Sequence, residues 1–540
     1  MATQNHKHID QLRKHQLAEA SHVPSNLRLV PISSGGKVHE DDAKLDSPLT
    51  LMALYISMIQ PVTELLGQLC RGTATDPTQN DSQTAWPPIT RVVSSPFIFF
   101  GPGAIRAHAA SGVRWTTLID MSVSGCIVTQ RLAEAAVEEP PAQIDGPDSP
   151  ALLQNGVEIG PFRAGRGGAS LDRLADDDHD VDKPRSIQIG PKDLINVFGE
   201  LQLSVKSPTV GLATGFRKLF IDSDDILLNT TASLDGALSP LLQTRLSQGE
   251  STAKELYSIG PIDLALPAYL SPKEAGGSED ASGTRSFLDS QSARSVLYVA
   301  FGSLARLPDE ELVKVVEALK QNRSIPFILV SRPVRDALDD PARAAAETTS
   351  SFGRAVQLLR TMIGDADSQH GKKRALVLGW APQRLVLAHP STGLFLSHAG
   401  WNSSLESLSS GVPMLLRPFG AEQMINARML SDYHKVAVRI DASAGAEEEP
   451  EGSAQTEQWP ISAGLRAFVG SRLGGGGEEA VLAKHMEEMS ARAERLGRAI
   501  RKDASGLEKS LTPSSSGNTQ DDPVSPGSSA DALRAWISQI

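Results

Sequence analysis

Cysteine is nearly absent: the 540 residues include only Cys70 and Cys126. That excludes a disulfide framework and a cysteine-based zinc site, and makes a reducing compartment the simplest home. No run of about 18 apolar residues occurs, the least a membrane-crossing helix needs, so no integral membrane segment is expected. The opening stretch, MATQNHKHIDQLRKHQ, lacks the apolar centre of a secretory signal, and the expected localisation is cytoplasmic. The sequon at Asn229 is then a chance match. Positive charge is also in deficit: 52 Lys and Arg against 64 Asp and Glu leave a formal charge of −12. Nucleic acid and anionic membrane both favour a basic face, so neither is expected as a partner. No internal repeat is visible. No G-x-G-x-x-G follows a strand with an acid about 20 residues on, which disfavours a dinucleotide enzyme.

What is present is an ordinary globular composition, 40% hydrophobic, in a chain long enough for two or three domains. Glu138 to Pro150, Gly165 to Arg185, Asp441 to Glu457, Gly474 to Gly477 and Pro513 to Ser529 look like solvated insertions that lengthen loops without adding core. The acidic run Asp176 to Asp182 reads as a solvated charge patch, and no metal site is expected.

Between these stretches the second half alternates apolar runs with amphipathic segments. Ser295 to Phe301 is a continuous apolar run, the mark of a strand covered on both faces. A helix from Pro308 follows, with Asp309, Glu310 and Glu311 in its first turn. Further strands are predicted at Pro326 to Ser331, Arg374 to Leu378, Gly393 to Ser397, Met414 to Arg417 and Lys435 to Ile440. That rhythm means a doubly wound parallel sheet. The first half repeats it less cleanly: Leu27 to Ile32, a helix over Ser47 to Cys70, Arg91 to Val93, a helix near Ala104 to Ser111, Trp115 to Ile119, Ile226 to Leu228 and Ser258-Ile259. On the Ser47 helix, Leu51, Met52, Tyr55, Met58 and Ile59 read as core before they read as an acceptor site. The expected architecture is an α/β chain of two facing domains, 1–270 and 293–540, joined by a linker at 271–292 and carrying insertions at 138–185.

Ligands of such sheets bind beyond the carboxyl ends of the strands. At one of these ends stands FLSHAGWNSSLES, residues 395–407. His398 sits where the strand stops, and Gly400 removes a side chain where backbone must approach something closely. Asn402 and Ser403 suit a helix start. Free N–H groups, the positive end of the helix dipole and a histidine make a pocket for a diphosphate. Glu406, one turn after Asn402, is spaced to accept hydrogen bonds from a vicinal diol such as that of ribose.

The wider stretch from Trp380 to Gln423 resembles the nucleotide-sugar signature of the family-one UDP-glycosyltransferases, and SVLYVAFGSLARL resembles the first strand of their donor domain. The resemblance implies the GT-B fold, two facing Rossmann-like domains. It also implies transfer of a hexosyl group from a UDP-sugar to a small lipophilic acceptor hydroxyl with inversion, without metal or cofactor beyond the UDP-sugar co-substrate. On it, Trp380 and Gln383, flanking Ala381-Pro382, hold the uracil; His398, Asn402 and Ser403, with Ser303 nearby, hold the diphosphate; Glu406 holds the ribose; Trp401, Glu422 and Gln423 hold the sugar. Gln423 hints at glucose.

The likeness is strong over Arg294 to Arg439 and thin before it. In the family a histidine after the first N-terminal strand takes the acceptor's proton, and an aspartate on a later strand orients it. The resemblance implies that this chain lacks that strand and its Gly-His, leaving the N-terminal domain incomplete and the weaker of the two. His6, His8, His15 and His22 align beyond the catalytic position, and Ser95 stands where the aspartate would be. The alternative reading is therefore a truncated or impaired homologue that binds UDP-sugar but transfers poorly.

Overall fold

The computed structural model describes residues 2–3, 30–31, 48–74, 87–95, 112–138, 157–162, 185–189, 208–247, 255–265, 283–302, 307–340, 350–364, 373–420, 422–441, 459–474, 477–507 and 528–539. Ser303, the acidic run at 176–182, the helix expected near 104–111, the four N-terminal histidines and the side chains of 51–58 lie outside them.

The first strands, β1 (Ala2–Thr3) and β2 (Val30–Pro31), form a short parallel pair of their own. In the N-terminal half, β3 (Arg91–Ser94) and β4 (Arg114–Ile119) lie side by side, then an antiparallel pair follows, β5 (Val157–Phe162) with β6 (Arg185–Ile189). With β7 (Asp225–Leu228) and β8 (Glu255–Ser258) the main sheet runs β3-β4-β7-β8, all parallel. The span 138–185 is therefore not loop alone. Val157, Ile159, Ile187 and Ile189 are buried in the N-terminal core, so β5 adds core within the span read as insertion and β6 begins where that span ends. Each presents alternate apolar residues in a stretch of five or six, too short to stand out between glycine-rich and acidic neighbours.

The C-terminal half is built on β9 (Val296–Ala300), β10 (Phe327–Val330), β11 (Ala375–Leu378), β12 (Thr392–Ser397), β13 (Met414–Leu416), β14 (Ala437–Asp441) and β15 (Trp459–Pro460). Their order is β11-β10-β9-β12-β13-β14-β15, parallel throughout. Both faces are covered, so β9 and β12 are buried at every residue, as their unbroken apolar sequence requires. The chain leaves β9 on one side toward β10 and returns on the other at β12, which makes the carboxyl ends of these two strands the point where strand order reverses.

The helices follow from local sequence. Asp309–Gln321 opens with the acids that complement its dipole, and buries Leu312, Val315, Val316 and Leu319 on one stripe. Within the segment read as a linker, Thr284–Asp289 is a helix with Phe287 and Leu288 buried against the C-terminal sheet. The two halves interlock. Helix Gln423–Arg428 sends Met424 and Ile425 into the N-terminal core. The closing helix Ser529–Ile537 crosses back to pack Leu533 and Trp536 against Leu227 and Tyr257. Among the described residues no helix is long and apolar enough to cross a membrane.

Candidate UDP-sugar site

β12 ends at Ser397, and three residues carry the chain into helix Trp401–Ser409. Ala399, in the middle of this corner, adopts φ +64°, a left-handed conformation unusual for a residue with a Cβ. The corner is held from two sides. The Ser397 hydroxyl accepts from the Ala399 N–H at 3.3 Å, and the Asn426 amide donates to the Ala399 carbonyl at 3.0 Å. Asn426 also accepts from the Ser122 hydroxyl of the N-terminal half at 2.6 Å. The sequence reading missed this residue, since a lone asparagine inside a helical pattern carries no distinguishing signal.

The question raised by Gly400 has a local answer: what its backbone approaches is the His398 ring. A Cβ on Gly400 would lie 2.4 Å from Nε2, and one on Gly302, just past β9 and at φ +75°, would lie 2.8 Å from the same atom. Two bare glycines thus cradle the imidazole at the switch between β9 and β12. Burial pushes its pKa down to about 4, so the ring is neutral at pH 7. Its Nδ1 is buried with no partner among the described residues. The N-cap of the adjoining helix is Gly400 in extended conformation, with no side chain capping it, and Asn402 and Ser403 stand in the first turn as expected. This uncapped N-terminus can take a negatively charged oxygen.

Gln383, Ser403 and Glu406 come together. The Gln383 amide donates to the Ser403 hydroxyl at 3.0 Å and to the Glu406 carboxylate at 2.5 Å, while its oxygen accepts from Tyr298 at 3.2 Å. Burial, with the charge of Asp263 behind it, raises the Glu406 pKa; the Gln383 hydrogen bond and Arg384 oppose this. Trp380 stands 71% exposed after β11, a free aromatic face beside the buried Ala381.

Trp401 is placed differently from a sugar contact made by its ring. Its indole is 3% exposed and donates to the Asn229 carbonyl at 2.8 Å, in the seam between the halves. Asn229 also donates to Asn402 at 3.2 Å and accepts from the Ile262 N–H at 2.9 Å, so a residue that carries a sequon motif is a structural bridge. Glu422 lies against the N-terminal half, where a Cβ on Gly125 would be 3.5 Å from its own Cβ; burial and then Asp120 raise its pKa, opposed by a backbone hydrogen bond. Gln423 accepts from the Phe419 N–H at 2.9 Å. Ser95 is exposed at the end of β3.

The chain is similar to known proteins over part of its length. Residues 278–449 match the family model described as UDP-glucoronosyl and UDP-glucosyl transferase. Anthocyanidin 3-O-glucosyltransferase 2 of Fragaria ananassa is 35% identical over 219 residues, 40% of this chain and 40% of that protein. Anthocyanidin 3-O-glucosyltransferase 7 of Manihot esculenta is 32% identical over 226 residues, 42% of this chain and 68% of that protein. The chain thus aligns with about two fifths of the length of the first of these relatives and two thirds of the second. Among solved structures, Phytolacca americana UGT2 complexed with UDP-2fluoro-glucose and pterostilbene superposes with a TM-score of 0.58 at 19% identity, covering 99% of this chain and 89% of that one. The fold is therefore GT-B, and the chain belongs to the UDP-glucoronosyl and UDP-glucosyl transferase family.

Proposed function

We propose that this protein transfers a hexosyl group, glucose by the hint of Gln423, from a UDP-sugar to a hydroxyl of a small lipophilic acceptor, with inversion. The observation that carries this reading is the neutral His398 ring, seated between Gly302 and Gly400 at the strand-order switch with an unpartnered nitrogen, beside an uncapped helix. As the acceptor oxygen attacks the anomeric carbon, the bond to the β-phosphate breaks and its electron pair leaves with UDP. His398 and the helix N-terminus stabilise that departing charge. Trp380 stacks on the uracil, Gln383 meets its edge and Glu406 takes the ribose. Asn402 and Ser403 line the diphosphate, which on the resemblance Ser303 also meets, and Trp401, Glu422 and Gln423 face the sugar. Residues 1–270 form the acceptor side and 293–540 the donor side across the 271–292 linker. The UDP-sugar is the only co-substrate, and the reading places the protein in the cytoplasm, where Cys70 and Cys126 remain free thiols.

A second reading, a homologue that binds UDP-sugar without transferring it, is favoured by Ser95, which the resemblance puts where the family has its aspartate. Calorimetric titration with UDP and turnover of UDP-glucose with a panel of phenolic acceptors separate the two. His398→Ala should weaken UDP binding about tenfold or more, roughly 1.4 kcal/mol, and abolish transfer. Trp380→Ala should weaken UDP but not inorganic pyrophosphate. Unchanged UDP affinity in the histidine variant contradicts the diphosphate assignment, and binding without turnover selects the second reading.

A further inference from the structure

An attacking hydroxyl must lose its proton, and the residues assigned so far leave that proton without a destination. Among the described residues every histidine (His389, His398, His434 and His485) lies in the C-terminal half. At the cleft end of the N-terminal sheet stands a different group. β4, second in its sheet, delivers Asp120 one residue beyond its last. Resting on the reading above, we propose that Asp120 is the general base that accepts the acceptor's proton.

Three observations support the assignment. The first is position: Asp120 lies at the carboxyl end of a parallel strand, where open sheets present their ligands. It heads the corner Met121–Gly125, which presses on the donor signature. A Cβ on Gly125 would lie 3.5 Å from the Cβ of Glu422, the residue assigned to the sugar, and 3.2 Å from the Ser122 hydroxyl that bonds Asn426. The second is availability. Asp120 is only partly buried, and the hydrogen bond its carboxylate receives comes from its own N–H. Asp235, nearby, is fully buried and already accepts from the Val123 N–H at 3.0 Å and the Thr230 hydroxyl at 3.1 Å, so it cannot serve. The third is basicity: burial raises the Asp120 carboxyl above its ordinary value, which strengthens its ionised form as a proton acceptor. The titratable groups that share this corner are Glu422 from the C-terminal half, Asp235 and the buried Cys126 thiol; burial and then the carboxylates push that thiol up and keep it protonated.

The step balances. The acceptor oxygen forms the glycosidic bond, the anomeric carbon's bond to the phosphate oxygen breaks, UDP carries off the electron pair, and the hydroxyl proton ends on Asp120, which, being only partly buried, releases it to solvent.

The test is Asp120→Asn in the full chain, with UDP-glucose binding by calorimetry and initial rates on the phenolic panel from pH 4 to 9. We expect kcat to fall about 10²- to 10⁴-fold while the Kd for UDP-glucose stays within about twofold. Wild-type kcat should rise with pH as Asp120 deprotonates; Asp120→Asn should lose that limb and Asp120→Glu should keep it, as a purely structural residue would not. A turnover within about threefold of wild type, or an unchanged rising limb, overturns the proposal. So does a wild-type chain that binds UDP-glucose but transfers to no acceptor at any pH. Failure of the wild type to bind UDP at all overturns the reading beneath it instead.

Discussion

The two sheets of this molecule obey the same parallel logic with unequal means. In the C-terminal sheet β9 and β12 are buried at every residue, and the ring of Phe395 stacks on that of Tyr298 with centroids 4.9 Å apart. In the N-terminal sheet β3 and β8 are edge strands with mostly half-exposed residues, and Val93 is 49% exposed. What holds that sheet is partly ionic and partly supplied by the other half. Asp225, its side chain 3% exposed, sits at the start of β7 and pairs with Arg91 and Arg114 at the starts of β3 and β4. Helices Gln423–Arg428 and Ser529–Ile537, from the far end of the sequence, cover its faces. The C-terminal sheet is covered largely by its own half, whereas the N-terminal sheet is covered in part by helices from the other.

The comparison breaks if the two sheets respond alike to truncation. Phe395→Ala removes a fully buried ring from the centre of the larger sheet and should cost about 3–5 kcal/mol in chemical denaturation. Val93→Ala, on the exposed edge of the smaller sheet, should stay within about 0.5 kcal/mol. Similar losses for both would mean that burial of β12 is not what stabilises the C-terminal half.

Burial raises carboxyls in both halves, Glu406 and Glu422 in one and Asp235 in the other, and Asp235 shows what that does to stability. Asp235 is enclosed in the N-terminal half, and burial raises its pKa from 3.8 to about 6 against the opposing hydrogen bonds from Val123 and Thr230. Folding therefore favours the protonated acid. Its contribution is fully present below the unfolded pKa and is lost as pH rises through the folded one, between about pH 4 and pH 6. At about 1.4 kcal/mol per unit the whole effect is on the order of 2–3 kcal/mol. Asp235→Asn keeps an acceptor for both hydrogen bonds without a charge. Its stability relative to wild type should improve by that amount between pH 4 and pH 7, measured by urea denaturation at each pH. A constant difference across this range would show that Asp235 is not enclosed.

The same inequality decides what could be read in advance. The C-terminal strands were legible because burial on both faces leaves apolar runs with no polar alternation, and the expected strands from Ser295 to Ile440 match β9 to β14 within a residue or two. The corner at His398 was legible because histidine, glycine and small polar residues crowd into six positions. The meaning of Gly400 was not, since no local pattern says that the backbone makes room for its own neighbour's ring. Asn229 and Asn426 were invisible for another reason: each acts across the seam, on residues 173 and 304 positions away, and no periodicity encodes that. In the N-terminal half, β5 hid in a stretch whose composition is dominated by its loops and β6 at its end, and the packing of distant helices leaves no local trace.

That packing can be measured at the smallest of its supports. Ser528 caps the closing helix, its hydroxyl accepting from the Asp531 N–H at 3.2 Å, and the next serine, Ser529, donates to the Gly260 carbonyl beside β8 at 2.6 Å. Ser528→Ala removes the cap and should cost about 1 kcal/mol. Because Leu533 and Trp536 pack on Leu227 and Tyr257, the loss should appear in β7 and β8, not in the sheet that precedes the helix in sequence. Amide hydrogen exchange resolves the two. Faster exchange confined to 225–228 and 255–258, with 296–300 and 392–397 unchanged, is expected if the N-terminal half relies on this helix for its stability. Equal acceleration in both sheets would mean that the helix serves the molecule as a whole, and that the N-terminal half is no more dependent than the C-terminal half.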